Sequence, residues 1–180
     1  MIQIDADLSQ LIQLSPSKMT PAIKRALRKA GATALRDMRA EASKRVRQRK
    51  RIKGKIVRDA LVLRRPKGSN IDSWEWAVDV SGKFVPLTAY PVRQTRRGVS
   101  VEVNRGKRTL IKSAFLATMK SGHRGVFVRR GSSRLPIREL LGSRPVDALL
   151  HKGEAQGVLD RGQTAFTATF ARVLPLEMGK

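Results

Sequence analysis

Apolar residues recur along the first third of the chain at the period of a helix. Ile23, Leu27, Ala30, Ala34, Met38, Ala42 and Val46 follow one another at steps of three or four, which places them along one face. Before them, Thr20 supplies a hydroxyl for a helix cap, and Pro21 stands at the first helical position, where its missing N–H does no harm. The pattern predicts one helix of about 27 residues, roughly 40 Å long, whose Ala-rich stripe lets a packed neighbour approach closely. Ahead of it, Ile2–Ile4 predicts a short strand. Leu8, Leu11, Ile12 and Leu14, following Asp7, predict a short helix ended by Pro16. Gly54 marks a break in or near a second short helix with Ile52, Ile56, Val57, Ala60 and Leu61 on its apolar side.

The period then changes to two. Trp74, Trp76, Val78 and Val80 alternate with Glu75, Ala77 and Asp79, the mark of a half-buried strand. Ser81-Gly82-Lys83 predicts a hairpin-type turn into Phe84, Val85 and Leu87, with Pro86 and Pro91 setting an edge or a strand end. Gly98 opens a clean alternation through Val103, Asn104-Arg105-Gly106 turns the chain into Arg108–Ile111, and Phe115–Met119 leads through Ser121-Gly122-His123 into Gly125–Arg129. The middle therefore predicts an antiparallel meander of four or five short strands. Leu135-Pro136-Ile137 is expected to be extended by its proline, and Pro145 to open a short helix through Val146, Leu149 and Leu150. A last helix from about Gly153 carries Val158 or Leu159, Ala165 or Phe166, Phe170, Val173 and Leu174, and Pro175 is expected to stop it.

Helices, then strands, then a helix give an α+β fold rather than alternating βαβ units. The expectation is a long basic N-terminal helix and a C-terminal helix packed on a small antiparallel sheet. The 180 residues form one domain of ordinary size, helical over 7–61, mainly β over 62–130, then a loop and the C-terminal helix over 131–180. Leu, Ile, Val and Phe make up about a quarter of the chain, above the ~20% below which a charged chain reads as disordered. Trp74 and Trp76, on the same strand face, and Phe166 and Phe170, one helical turn apart, are expected to serve the core, with the Phe pair open to a subunit contact as well.

Charge sharpens this picture. Lys and Arg number 38 against 14 Asp and Glu, a formal net charge of +24. Lys24 to Lys67 alone holds 18 cations against three acids, Asp37, Glu41 and Asp59. On the long helix Lys24, Arg25, Arg28, Lys29, Arg36, Arg39 and Lys44 lie off the apolar stripe. The densest run is Arg45, Arg47, Arg49, Lys50, Arg51, Lys53 and Lys55, seven cations in eleven residues with no acid between them. Such a run is a solvated face, a phosphate contact that releases counterions, or a contact to an acidic partner surface. Heptads and aromatic RNA-binding motifs are absent, so sequence-specific readout finds no support.

Other chemistry has little to build on. Without cysteine there is no disulfide framework, thiolate zinc site or cysteine nucleophile. This fits a cytosolic origin. His123 and His151 stand apart with no carboxylate cluster, so no metal site is expected. No G-x-S-x-G elbow and no G-x-x-x-x-G-K loop occurs, and the acids are scattered. Neither an enzyme nor a cofactor is expected. No run of about 18 apolar residues points to a membrane span, and Met1–Asp5 does not begin a secretory signal.

The stretch Ala114–Gly131, AFLATMKSGHRGVFVRRG, followed by Arg134–Gly142, RLPIRELLG, resembles the signature of the minor tail protein Z family, the tail-completion proteins of tailed bacteriophages and prophages. The basic N-terminal helix, the basic connection and the Ile56–Leu61 segment are similar too, so that the likeness runs from about Leu8 to Leu174. The resemblance implies a non-enzymatic virion protein, assembled in the cytoplasm of the host bacterium. Its place would be the head-proximal end of the tail, beside the tail terminator and the head–tail connector. By analogy with related neck proteins it implies a homo-oligomeric, hexameric ring, with phage DNA as a further partner. On that reading the cations from Arg45 to Lys55 form the contact set toward DNA or acidic partners. Gly122, His123, Arg124, Gly125, Val126, Phe127 and Val128 form an inter-subunit or inter-ring loop and strand.

Overall fold

The computed structural model describes residues 21–71 and 74–179. The expected strand at Ile2–Ile4, the helix through Leu8–Leu14 and the Thr20 cap lie outside them. The long helix α1 spans Pro21–Arg49 and buries Ala26, Leu27, Ala30, Gly31, Ala34, Leu35, Met38, Ala42 and Val46, the anticipated stripe widened by Ala26, Gly31 and Leu35, with Ile23 only half-buried. A short α2 (Gly54–Ala60) follows, then β1 (Leu61–Arg64), β2 (Ala77–Val80), a single 3-10 turn (Leu87–Ala89), β3 (Val92–Thr95), β4 (Gly98–Asn104), β5 (Lys107–Lys112), β6 (Ala114–Thr118), β7 (Arg124–Arg129) and β8 (Ile137–Glu139). The chain closes with α3 (Val146–Leu149) and α4 (Glu154–Met178).

The two long helices pack antiparallel. Arg25 near the start of α1 bonds Glu177 near the end of α4, and Arg49 at the end of α1 bonds Glu154 at the start of α4. Small residues bring the helices close: a Cβ on Gly162 would collide with the Met38 side chain, and one on Gly157 with the Arg45 guanidinium. Phe166, 1% exposed, fills the centre of this seam and meets the Trp76 ring at 6.1 Å. Burial of a side chain of that size stabilises by about 2–3 kcal/mol. Trp76 in turn covers Gly31 so closely that no β-carbon fits there.

The β part differs from a single meander. Among the described residues, eight short strands form three antiparallel sheets, ordered β1-β2, β3-β4-β5 and β6-β7-β8. Leu61, expected to end a helix, opens a strand, Leu61–Arg64, paired with β2 from Leu61↔Val80 to Arg64↔Ala77. A short apolar run without turn residues before it does not distinguish the two states by period. The expected hairpin at Ser81-Gly82-Lys83 does not form, because β2 pairs with β1. Phe84–Leu87 is not a strand; Pro86, with fixed φ and no donor, leads into the 3-10 turn and bridges Leu141. Trp74 and Trp76 precede β2 rather than lying in it, although Trp76 is core as expected.

Val92–Thr95, hidden between Pro91 and Arg96-Arg97, forms β3 and pairs with β4. The Gln94 side-chain oxygen accepts the Leu116 N–H at 2.8 Å, tying the second sheet to the third. Pro175 does not stop α4, which runs on to Met178. Glu177, 4% exposed and bonded by Arg25 and Lys29 at 2.8 and 2.6 Å, holds that last turn on α1. Ala171, whose carbonyl the proline leaves without its helical donor, is exposed to water.

Candidate polyanion-binding groove

The seven cations from Arg45 to Lys55 do not form one patch. Arg45 and Arg49 turn toward α4, where Glu154 accepts from both at 2.8 and 2.9 Å; Arg45 also bonds Glu41 at 2.8 Å. Arg49 further reaches His151 Nδ1 at 3.0 Å. Beyond the helix, the chain adds to the end of β4. The Arg51 N–H donates to the Val103 carbonyl and the Arg105 N–H to the Arg49 carbonyl. There Arg51 pairs with Glu102, 6% exposed, at 2.8 Å, and Lys50 donates to the Asn104 side chain. Lys53 and Lys55 point outward. Only Arg47 stands on the opposite side of α1.

These pairs shift the groups that make them. Hydrogen bonding from Arg49, and then from Arg45, holds the Glu154 carboxyl below the usual carboxylate range despite the opposing effect of burial. The Arg51 bond, then the Gly106 N–H, does the same for Glu102. For Arg45, burial works against the charge, but the bonds to Glu154 and Glu41 outweigh it and raise its pKa. Both carboxyls bind protons less readily folded than unfolded. Their stabilisation is therefore complete above the ordinary carboxylate range and lost as pH falls through their lowered folded values. Thermal midpoints followed against pH should show a gap between wild type and Glu154→Gln that is widest near neutrality and closes in acid.

Arg47 belongs to a groove of about 650 Å³ between α1, α2, β1 and the β4–β5 turn. One face of α1 supplies Arg36, Arg39, Lys44 and Arg47 at helical spacing, with small Ala40 and Ser43 between them. Arg58 comes from α2 and Arg105 from the turn, and no carboxylate lines the groove. Two of these cations are fixed by backbone carbonyls: Arg39 donates to the Arg58 carbonyl at 2.8 Å, and Arg105 Nε to the Arg47 carbonyl at 2.6 Å. Such bonds position a guanidinium without neutralising it. Among the described residues Arg36, Arg39, Arg47, Arg58 and Arg105 make no ion pair, and Lys44 reaches Glu41 only at 3.8 Å. The Arg39 Nε is buried with no hydrogen-bond partner among them, a desolvated donor that costs free energy as it stands. Acids have been drawn to the α4 side and to the sheet, and the groove keeps its charge.

Arg36, Arg39, Arg58 and Arg105 were not in the expected contact set. Their signal was present in part: Arg36, Arg39, Ser43 and Arg47 share a helix face opposite the apolar stripe, whereas Arg58 and Arg105 join them only through the fold. The expected contact loop is also narrowed. Gly122 adopts φ +80° at the β6–β7 turn, and His123 meets Glu139 at 2.9 Å. Gly122, His123 and Arg124 are exposed. Gly125, Val126 and Phe127 are buried, and Val128 half-buried, in β7, the central strand of its sheet with a neighbour on each side. A second subunit can thus meet the turn but not the β7 edge. Among the described residues no three or more His, Asp or Glu side chains gather as metal ligands, and no helix is long and apolar enough to cross a membrane. No protein family, curated protein or solved structure matches the chain.

Proposed function

We propose that this chain is a non-enzymatic structural protein that completes the head-proximal end of a phage tail. In this role it is a subunit of a hexameric ring between the tail terminator and the head–tail connector. The observation that carries the reading is the acid-free groove: its fixed guanidinium groups have no counter-charge among the described residues and call for one in a partner. The Ala114–Gly142 stretch, with its likeness to tail-completion proteins, supports the place in the virion. A basic chain is suited to such a place, because neighbouring subunits or DNA offset its self-repulsion. The exposed Gly122–Arg124 turn is suited to an inter-ring contact.

The same groove also favours a second reading, a free protein that binds nucleic acid without regard to sequence. Removing the chain from a phage that encodes it separates the two. For a tail-completion protein, filled heads and full-length tails accumulate unjoined, and the added purified chain restores joining. Normal joining without the chain would favour the free binder.

A further inference from the structure

We infer that the groove between α1, α2 and the β4–β5 turn seats the phosphodiester backbone of double-helical DNA, held by charge and not by base sequence. The inference rests on the polyanion-contact reading and names its ligand. Arg36 and Arg47 lie eleven residues apart on α1, which is about 16 Å along the helix axis. That length equals the axial rise of about five base-pair steps of B-form DNA at roughly 3.4 Å each. Five of the six cations are arginines, whose planar fork meets phosphate oxygens in pairs and whose weak hydration lowers the cost of contact.

What the groove lacks narrows the ligand further. No aromatic side chain lines it, so unstacked bases of a single strand find no platform. Its apolar lining is limited to Ala40, Leu63 and the stems of the long side chains. An acidic protein surface would need apolar anchors at the centre of its contact, and the groove offers almost none. Gln48 is the one lining amide able to address a base edge, too little for sequence readout. Arg105, fixed by the Arg47 carbonyl, and Arg39, fixed by the Arg58 carbonyl, are pre-oriented, so less side-chain freedom is lost on binding.

The test is fluorescence anisotropy of the whole chain with a labelled mixed-sequence duplex, the matching single strand and poly-glutamate, between about 50 and 200 mM salt. Wild type should prefer the duplex, with log K falling against log salt at a slope of about −5 for six neutralised phosphates. The exposed groove triple Arg36→Gln, Arg47→Gln, Arg58→Gln should bind about 100-fold more weakly, with a slope of about −3. The Lys versions of those three should keep the wild-type salt slope but bind the duplex more weakly than wild type and more tightly than the Gln triple, because the charge stays and the paired fork is lost. A charge-matched triple away from the groove, Lys83→Gln, Lys120→Gln, Lys152→Gln, should change binding far less. Equal losses in the two Gln triples would overturn the groove as the seat. Single strand or poly-glutamate bound as tightly as duplex would overturn the ligand. Either result leaves the joining experiment untouched, and failed joining leaves this measurement standing.

Discussion

Arg45→Glu should lower stability by about 3 kcal/mol, a fall of roughly 6–12 °C in the melting temperature for a chain of this size. Arg45 sits between Glu41 and Glu154 at 2.8 Å from each and lies against Gly157 of α4. Reversal leaves both acids without this partner and adds a third carboxylate to a site only a quarter exposed. The figure is at the low end for loss of one partner of a buried pair, because water still screens part of the side chain. Calorimetry of the purified variant gives the number directly. A melting temperature within about 2 °C of wild type would show that water replaces the network at little cost. The same reasoning assigns Arg49 and Arg51, paired with Glu154 and Glu102, to the scaffold. Changing the sign of the 45–51 run would perturb the fold first, and any loss of function could not be read as a lost contact.

Reversing the groove should do the opposite. Arg36→Glu, Arg47→Glu and Arg58→Glu replace exposed side chains that hold no acid among the described residues. Six crowded cations repel one another, so the exchange relieves strain in the isolated chain. Its melting temperature should stay level or rise, while duplex binding is lost to measurement at physiological salt. This combination, a sound fold with no contact, separates the groove cations from the scaffold cations, although they interleave along one helix.

The sequence showed some of this and hid the rest for physical reasons. A 3.6-residue period carried α1 and α4, since each buries one continuous face. Clean alternation carried β4, and the turns at Asn104-Arg105-Gly106 and Ser121-Gly122-His123 placed β5 and β7 beside their neighbours. Strands β1 and β3 were lost because four-residue runs carry too few repeats to fix a period, and because Pro91, directly before β3, blurred its start. Pro175 misled because the anchor that carries the helix past it, Glu177 held by Arg25 and Lys29, is made across about 150 residues of chain. The same distance in sequence hid the division of the cations. Arg49 finds Glu154 105 residues away, and Arg51 finds Glu102 51 residues away. Three of the seven cations in a run that looks uncompensated locally, Arg45, Arg49 and Arg51, thus find acids in three dimensions. The acid-free groove lies one helix face away, and only Arg47 of the expected set is found there.

The most direct measurement is the yield of joined, infectious particles from the groove-reversed triple, taken together with its melting temperature. A folded chain that melts at or above the wild-type temperature, with joined particles reduced by orders of magnitude, is expected if the groove is neutralised by material outside this chain. Wild-type yields from that same stable variant would mean that the groove faces only water in the finished particle, and the central role given to it would be wrong.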